Sequence, residues 1–286
     1  MPSTKRRALP RTVPVGRVFR SAQQDLQAIG ALVEAVAGDL AAHGPTGGTR
    51  RIATRLRRWR RDAEALARDL RARRDGALTT RLRALGLASA SHGLKLHLGA
   101  ADASLTGWVN VDRWPAELSM DLRWGLPFVD GAADLVYLCH VLEHFYYPDE
   151  ARCVLEDIRR VLAPRGTARI VVPDIGRTLR AYVGNDRRFF AARRAMWSWW
   201  PKADSRLEQV LGYAGVGAGP ADFGGHRFGY DFETLRALLR RAGFTRIVRS
   251  HYMRSRHPDL RVDEASHVAG AKVGRRYFSL FVDAQA

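Results

Sequence analysis

From Leu94 onward the chain alternates strand-length apolar runs with helical stripes, and that alternation constrains the fold more than any other feature. Leu94-Lys95-Leu96-His97-Leu98 alternates and runs into Gly99, as a strand entering a tight turn does. Val109-Asn110-Val111-Asp112 is a short second strand that ends in an acid, and Leu126 to Gly131 reads as a loop with a turn. Asp134 to Cys139 is a third strand. Pro148 to Leu162 reads as a helix: Pro148 suits the first turn, and Val154, Leu155, Ile158, Val161 and Leu162 make one apolar face. Ala168 to Val172 is a fourth strand, stopped by Pro173-Asp174. Phe232 to Ala242 is a helix closed by Gly243, and Arg246-Ile247-Val248 and Tyr277 to Val282 are the last strands. The pattern predicts an α/β fold with a mainly parallel sheet and helices on both faces. Ligands of such sheets bind beyond the carboxyl ends of the strands, where the strand order reverses.

Residues 1–90 have a different texture. Nineteen Lys/Arg against seven Asp/Glu make them a basic head on a nearly balanced body. Phe19, Leu26, Ile29, Val33, Val36 and Leu40 recur at mostly three- and four-residue steps, and so do Ile52, Leu56, Trp59, Ala63, Leu66 and Leu70. Gly44, Pro45, Gly47 and Gly48 separate the two stripes. This predicts an amino-terminal helical hairpin after a basic tail, giving two parts: residues 1–90 (tail, hairpin and linker) and residues 91–286 (the α/β domain). The charge suits an anionic partner such as nucleic acid or a membrane surface, although arginines on solvated helix faces read the same way. A stripe left uncovered by the hairpin or the domain would suit a homodimer.

Two cysteines, Cys139 and Cys153, exclude a disulfide scaffold and suit a reducing cytoplasm. No apolar run reaches the length of a transmembrane segment, and the basic start has no apolar stretch behind it to make a signal peptide.

The candidate chemistry sits at the strand ends. Gly99 lets backbone come close to a ligand at the first turn. Asp112 can accept both hydroxyls of a ribose. Asp121 and Leu122 offer one polar and one apolar contact to a base. Together these fit a nucleoside, without separating an adenosyl from a nicotinamide cofactor. His140 and His144 are four apart and would share a helix face, but no third ligand stands at a usual spacing, so no metal is expected. Glu143 reads as a cap or brace. Asp174 is a candidate base or a helix N-cap. His226, in a glycine-rich stretch with Tyr230, is a candidate base or a hydrogen-bonded loop residue. Trp197, Trp199 and Trp200 read as packing, and Cys139 as a buried thiol.

Six blocks in order, namely Lys95 to Gly99, Gly107 to Asp112, Leu126 to Phe128 with Asp130-Gly131, His140 to His144, Arg160 to Gly166, and Val171 to Asp174, resemble the type-11 methyltransferase domain of the class I S-adenosylmethionine-dependent methyltransferases. Gly225 to Phe228 with Tyr230-Asp231, then Leu238-Leu239 and Ala242 to Phe244, resemble its closing segment. The resemblance covers roughly residues 94–283. It implies that Gly99 lies against the methionine part of S-adenosyl-L-methionine, Asp112 against the ribose, Asp121 and Leu122 against the adenine, and His140 near the sulfonium. It further implies methyl transfer to a small-molecule or glycan acceptor, with Asp174 or His226 as base where a hydroxyl must lose its proton. One departure stands out: the family's Gly-x-Gly is here Gly99-Ala100-Ala101, and Ala101 is costly if its φ is positive. That leaves a second reading, a catalytically weak methyltransferase-fold binding protein whose basic hairpin docks to an anionic partner. RNA as the acceptor ranks lower, because Trp59 alone accompanies the arginines and belongs to the apolar stripe.

Overall fold

A computed structural model describes residues 31, 35, 36, 38, 52, 54, 75–113, 116–196, 205–216 and 225–286. Its contacts divide the chain into two units, residues 1–81 and 82–286. The two apolar stripes of the expected hairpin, and the tryptophans 197, 199 and 200, lie almost wholly or wholly outside the described residues.

The second unit is built on one seven-stranded sheet. Its strands are β1 (Leu94–Leu98), β2 (Val109–Asp112), β3 (Leu118–Ser119), β4 (Ala133–Cys139), β5 (Leu162–Pro173), β6 (Thr245–Ser250) and β9 (Ser279–Gln285). The order is β3-β2-β1-β4-β5-β9-β6. All neighbours are parallel except β9, which runs antiparallel to both β5 and β6. The order reverses between β1 and β4, so the crevice expected for a ligand opens at the carboxyl ends of these two strands. A separate hairpin pairs β7 (Lys272–Val273) with β8 (Arg276–Tyr277).

The connection from β1 to β2 has only residues 99–108, too few for the usual helical crossover, and among them there is no helix. Asn110 on β2 holds this loop instead. Its Oδ1 accepts from the Leu105 amide at 2.8 Å, and its Nδ2 donates to the Leu105 carbonyl at 3.0 Å.

Helix α1 (Asp149–Val161) follows from its sequence. Ala151, Val154, Leu155, Ile158 and Val161 form the buried stripe, with acids in the first turn and arginines in the last, as the helix dipole favours. Arg160 reaches from it to clamp the preceding loop, donating to the carbonyls of Leu126 and Phe128. Helices α2 (Ile175–Val183), α3 (Arg187–Met196) and α4 (Arg206–Tyr213) follow, and α4 begins with a capping box of Ser205 and Glu208. Helix α5 (Phe232–Arg241) starts at its cap Asp231 and is followed by Gly243 at φ 88°.

One sheet face is covered differently. Tyr137, Cys139, Val171 and Phe281 pack there with Leu260 and Ala269, from a segment that makes only single 3-10 turns at Pro258–Leu260 and Asp263–Ala265. Arg169 of β5 anchors it. This fully buried guanidinium donates to both carboxylate oxygens of Asp263 at 2.8 and 2.7 Å, to Asp283 opposite it on β9 at 2.7 Å, and to the His251 carbonyl at 2.7 Å. Burial works to lower its pKa, but the two carboxylates outweigh burial and hold it above the ordinary value.

Removing one partner of a buried ion network leaves the others unanswered. Arg169→Ala should therefore lower unfolding free energy by ~3–5 kcal/mol in urea titration. Arg152→Ala, which breaks a partly exposed pair with Glu156, should cost no more than about 0.5 kcal/mol. Equal effects would contradict the role given to Arg169.

Candidate active site

The end of β1 turns at Gly99, whose φ is 75°. Its amide donates to the Val111 carbonyl at 2.8 Å. A Cβ built on Gly99 would stand 2.0 Å from Val141 Cγ2. The close approach that demands glycine is thus to the loop after β4. Ala101 adopts φ 44°, the strained case for an L residue. Its amide donates to Asp112 Oδ2 at 2.9 Å. Asp112 therefore braces the turn, and a carboxylate with about four acceptor positions keeps capacity for further hydroxyl donors. Asp121 is buried and caps the 3-10 turn Leu122–Trp124, pairing with Arg123 Nε at 3.1 Å, and Leu122 is buried beside it.

Beyond β4 the backbone strains again, with His140 at φ 54°. Its Nε2 lies 2.8 Å from Ser279 Oγ on β9, and its Nδ1 lies 3.5 Å from Glu143 Oε1. Burial, and then the neighbouring imidazoles of His226 and His144, pull its pKa down to about 3, so the ring is neutral. Residues Leu142–His144 form a 3-10 turn, so His140 and His144 do not share a helix face. The partner of this turn comes from far along the chain. The amides of Arg227 and Phe228 donate to the Glu143 carbonyl, and His144 Nδ1 lies 3.2 Å from the Gly225 carbonyl. His226 Nε2 is thereby brought to 3.9 Å from Glu143 Oε1, while its Nδ1 sits 2.9 Å from the Tyr213 carbonyl. The Glu143 side chain is fully buried and neither carboxylate oxygen has a hydrogen-bond partner among the described residues. Burial pushes its pKa up to about 8. Sequence spacing missed this grouping of Glu143, His144 and His226. Its visible trace is the Glu-His doublet followed by a histidine in a glycine-rich stretch.

Asp174 stands apart from that cluster. It is the N-cap of α2, accepting from the Arg177 amide at 2.8 Å, and its Oδ2 pairs with Arg249 at 3.1 Å. One of its oxygens is thus held by the cap and the other by the ion pair. Cys139 is buried, bonded to Ser266 Oγ, and pushed up to about 12, so it is no nucleophile at neutral pH. A cavity of about 720 Å³, lined by residues including Arg246, Arg254 and Arg261, lies at the other end of the sheet, where β5 starts and β9 ends.

Residues 100–170 match the family model described as a methyltransferase domain. No curated protein matches the sequence significantly. Similar solved structures include a SAM-dependent methyltransferase from Archaeoglobus fulgidus, at 12% identity over 74% of this chain and 94% of that one, with a TM-score of 0.38. Another is a possible histamine N-methyltransferase from Thermotoga maritima, at 16% identity over 73% and 88%, with a TM-score of 0.37. A third is phosphoethanolamine N-methyltransferase 2 from Haemonchus contortus in complex with S-adenosyl-L-methionine, at 13% identity over 74% and 52%, with a TM-score of 0.37. The strand order and the family match together give the chain a class I, Rossmann-like methyltransferase fold.

Gly99→Ala should cost about 2–4 kcal/mol, from positive φ and overlap with Val141. In a double-mutant cycle with Val141→Ala, a coupling of at least about 1 kcal/mol is expected in denaturant titration. No coupling would show that the two residues do not meet.

Proposed function

We propose that this protein transfers a methyl group from S-adenosyl-L-methionine to a small-molecule or glycan acceptor. The observation that carries the reading is the turn at the point of strand-order reversal, where Gly99, Asp112 and the Asp121–Leu122 pair stand at neighbouring strand ends. The residues fit the group. Asp112 would take the ribose hydroxyls on the lone pairs its backbone bonds leave, and Leu122 and Asp121 would flank the adenine. When bound, the cofactor supplies an electrophilic methyl group on a positively charged sulfur. The protein's share is then positioning, worth most when acceptor and methyl are held in line and water is kept out. The cluster of Glu143, His144 and His226, just past β4, is the side on which the acceptor would lie and give up a proton. His226 is the better placed of the two candidate bases, since Asp174 is engaged in its cap and with Arg249. The acceptor class rests on the sequence resemblance. A reducing compartment such as the cytoplasm suits two unpaired cysteines, and no helix among the described residues is long and apolar enough to cross a membrane.

The positive φ of Ala101 favours a second reading, in which cofactor affinity is reduced and the fold serves mainly for binding. Calorimetry separates the two. S-adenosyl-L-methionine should bind the wild-type chain, and Asp112→Ala should weaken it at least about tenfold, the loss of a charge-assisted hydrogen-bonding group. Ala101→Gly should tighten binding severalfold by removing a methyl from the ligand's side. Its thermal midpoint should barely move, because relief of about 1 kcal/mol of strain is offset by glycine's greater backbone entropy loss. Absence of binding in both wild type and Ala101→Gly would overturn the enzyme reading.

A further inference from the structure

We propose that Glu143, His144 and His226 form a binding site for one divalent first-row transition-metal ion of the zinc class, at the carboxyl end of β4. The three side chains each offer one ligand atom, and these atoms lie within 4.8 Å of one another. Donors on a tetrahedral ion of this kind sit about 2.0–2.2 Å from it and so about 3.3–3.6 Å from one another. The 3.9 Å between His226 Nε2 and Glu143 Oε1 is a few tenths of an ångström wider than that, and spacings up to 4.8 Å would close by about one ångström as the side chains turn onto the ion.

Two independent features point to an ion. The first is the Glu143 carboxylate, fully buried with no hydrogen-bond partner for either oxygen among the described residues. A carboxylate so enclosed needs a cation or a proton donor to answer it; the imidazoles of His140 and His226 stand 3.5 and 3.9 Å from it, and Tyr213 and Tyr230 lie near enough to feel its charge. The second is the way the His144 and His226 rings are held. A carbonyl only accepts, so the Gly225 carbonyl places the proton of His144 on Nδ1, and the Tyr213 carbonyl does the same for His226. His226 then has its lone pair on Nε2, the nitrogen 3.9 Å from Glu143 Oε1, while the His144 ring also meets the His140 carbonyl. This is the outer-shell arrangement that orients metal-ligating histidines. The two rings meet edge to face with centroids 5.1 Å apart, which keeps two nitrogens converging without stacking the rings. His140 Nδ1 approaches the same oxygen, Oε1, at 3.5 Å.

Two imidazoles and one carboxylate suit zinc, iron or cobalt better than the all-oxygen sites of magnesium or calcium. Three protein ligands leave at least one position open, the pattern of sites that engage a substrate rather than hold a fold together. If the methyl-transfer reading holds, that position is where an acceptor oxygen would sit, and with both His226 nitrogens engaged the ion, in place of the His226 base, would ease the loss of its proton. The site itself does not depend on that reading.

The test uses the full chain stripped by chelation. Zn²⁺ calorimetry should find one ion per chain. Co²⁺ should give visible d–d absorption without a thiolate charge-transfer band, since no cysteine is a ligand. His144→Ala, at a half-buried position, should weaken Zn²⁺ at least tenfold and abolish the Co²⁺ absorption while keeping a cooperative thermal transition. Glu143→Gln should do the same, and the remote, exposed His257→Ala should change neither. Asp112→Ala should lose S-adenosyl-L-methionine and keep the ion, so failure of the cofactor reading and failure of the metal site give different results. No stoichiometric ion in the wild-type chain, or undiminished binding in folded His144→Ala, would overturn the proposal.

Discussion

A charge taken out of water must be answered inside the protein, and this chain buries two chargeable groups in opposite ways. Arg169 is answered completely. Two carboxylates and a carbonyl converge on it, and they come from β9 and from the segment that lies over the sheet. That one guanidinium ties the covering segment to the sheet, while β9 keeps its register through its backbone ladders to β5 and β6. The consequence reaches the ligand end of the sheet. Because β9 is fixed against β5, Ser279 at its start is fixed against the ring of His140. Glu143 is the opposite case, enclosed to the same degree and left without a hydrogen-bond partner among the described residues. A group of the first kind specifies structure, and one of the second kind is the observation from which the metal site is proposed.

The ligand end is put together from three parts of the chain. Gly99 and Asp112 belong to the first crossover, where lack of room for a helix leaves a loop tied by Asn110. His140, Glu143 and His144 follow β4 directly. His226 arrives on the stretch ahead of α5, docked by backbone bonds to the Glu143 carbonyl. Strain gathers here as well, with Ala101 and His140 both in left-handed conformations. Non-glycine residues keep such geometry only where their surroundings enforce it. At Ala101 the enforcing contact is its own amide bond to Asp112, the residue read as the ribose ligand.

Much of this was legible in the sequence. The strands at 94–98, 109–112 and 134–139, helix α1, and α5 with Gly243 behind it fall where periodicity and turn chemistry put them. The placement of Gly99 and Asp112 at the ends of β1 and β2 was recognisable because a strand end is a local feature. Other parts were hidden for physical reasons. Strand β3 has two residues and no periodicity to show. Helices α2 to α4 carry arginines and aromatics that blur their stripes, although Asp174 announced the first of them as a cap. The role of Arg169 depends on partners 94 and 114 residues away, and no local pattern encodes such a pairing. The histidine spacing misled for a similar reason. His140 and His144 suggested one helix face, but a 3-10 turn intervenes, and the third member of the cluster lies beyond the reach of any spacing rule.

The crevice between β1 and β4 is the proposed seat of S-adenosyl-L-methionine. Mass spectrometry of the protein, purified gently and sprayed under native conditions, addresses it most directly. A bound small molecule with the mass of S-adenosyl-L-methionine or S-adenosyl-L-homocysteine is expected, retained on purification or acquired on incubation with the former. A spectrum of the folded chain that shows neither adduct, even after incubation with S-adenosyl-L-methionine, would contradict it.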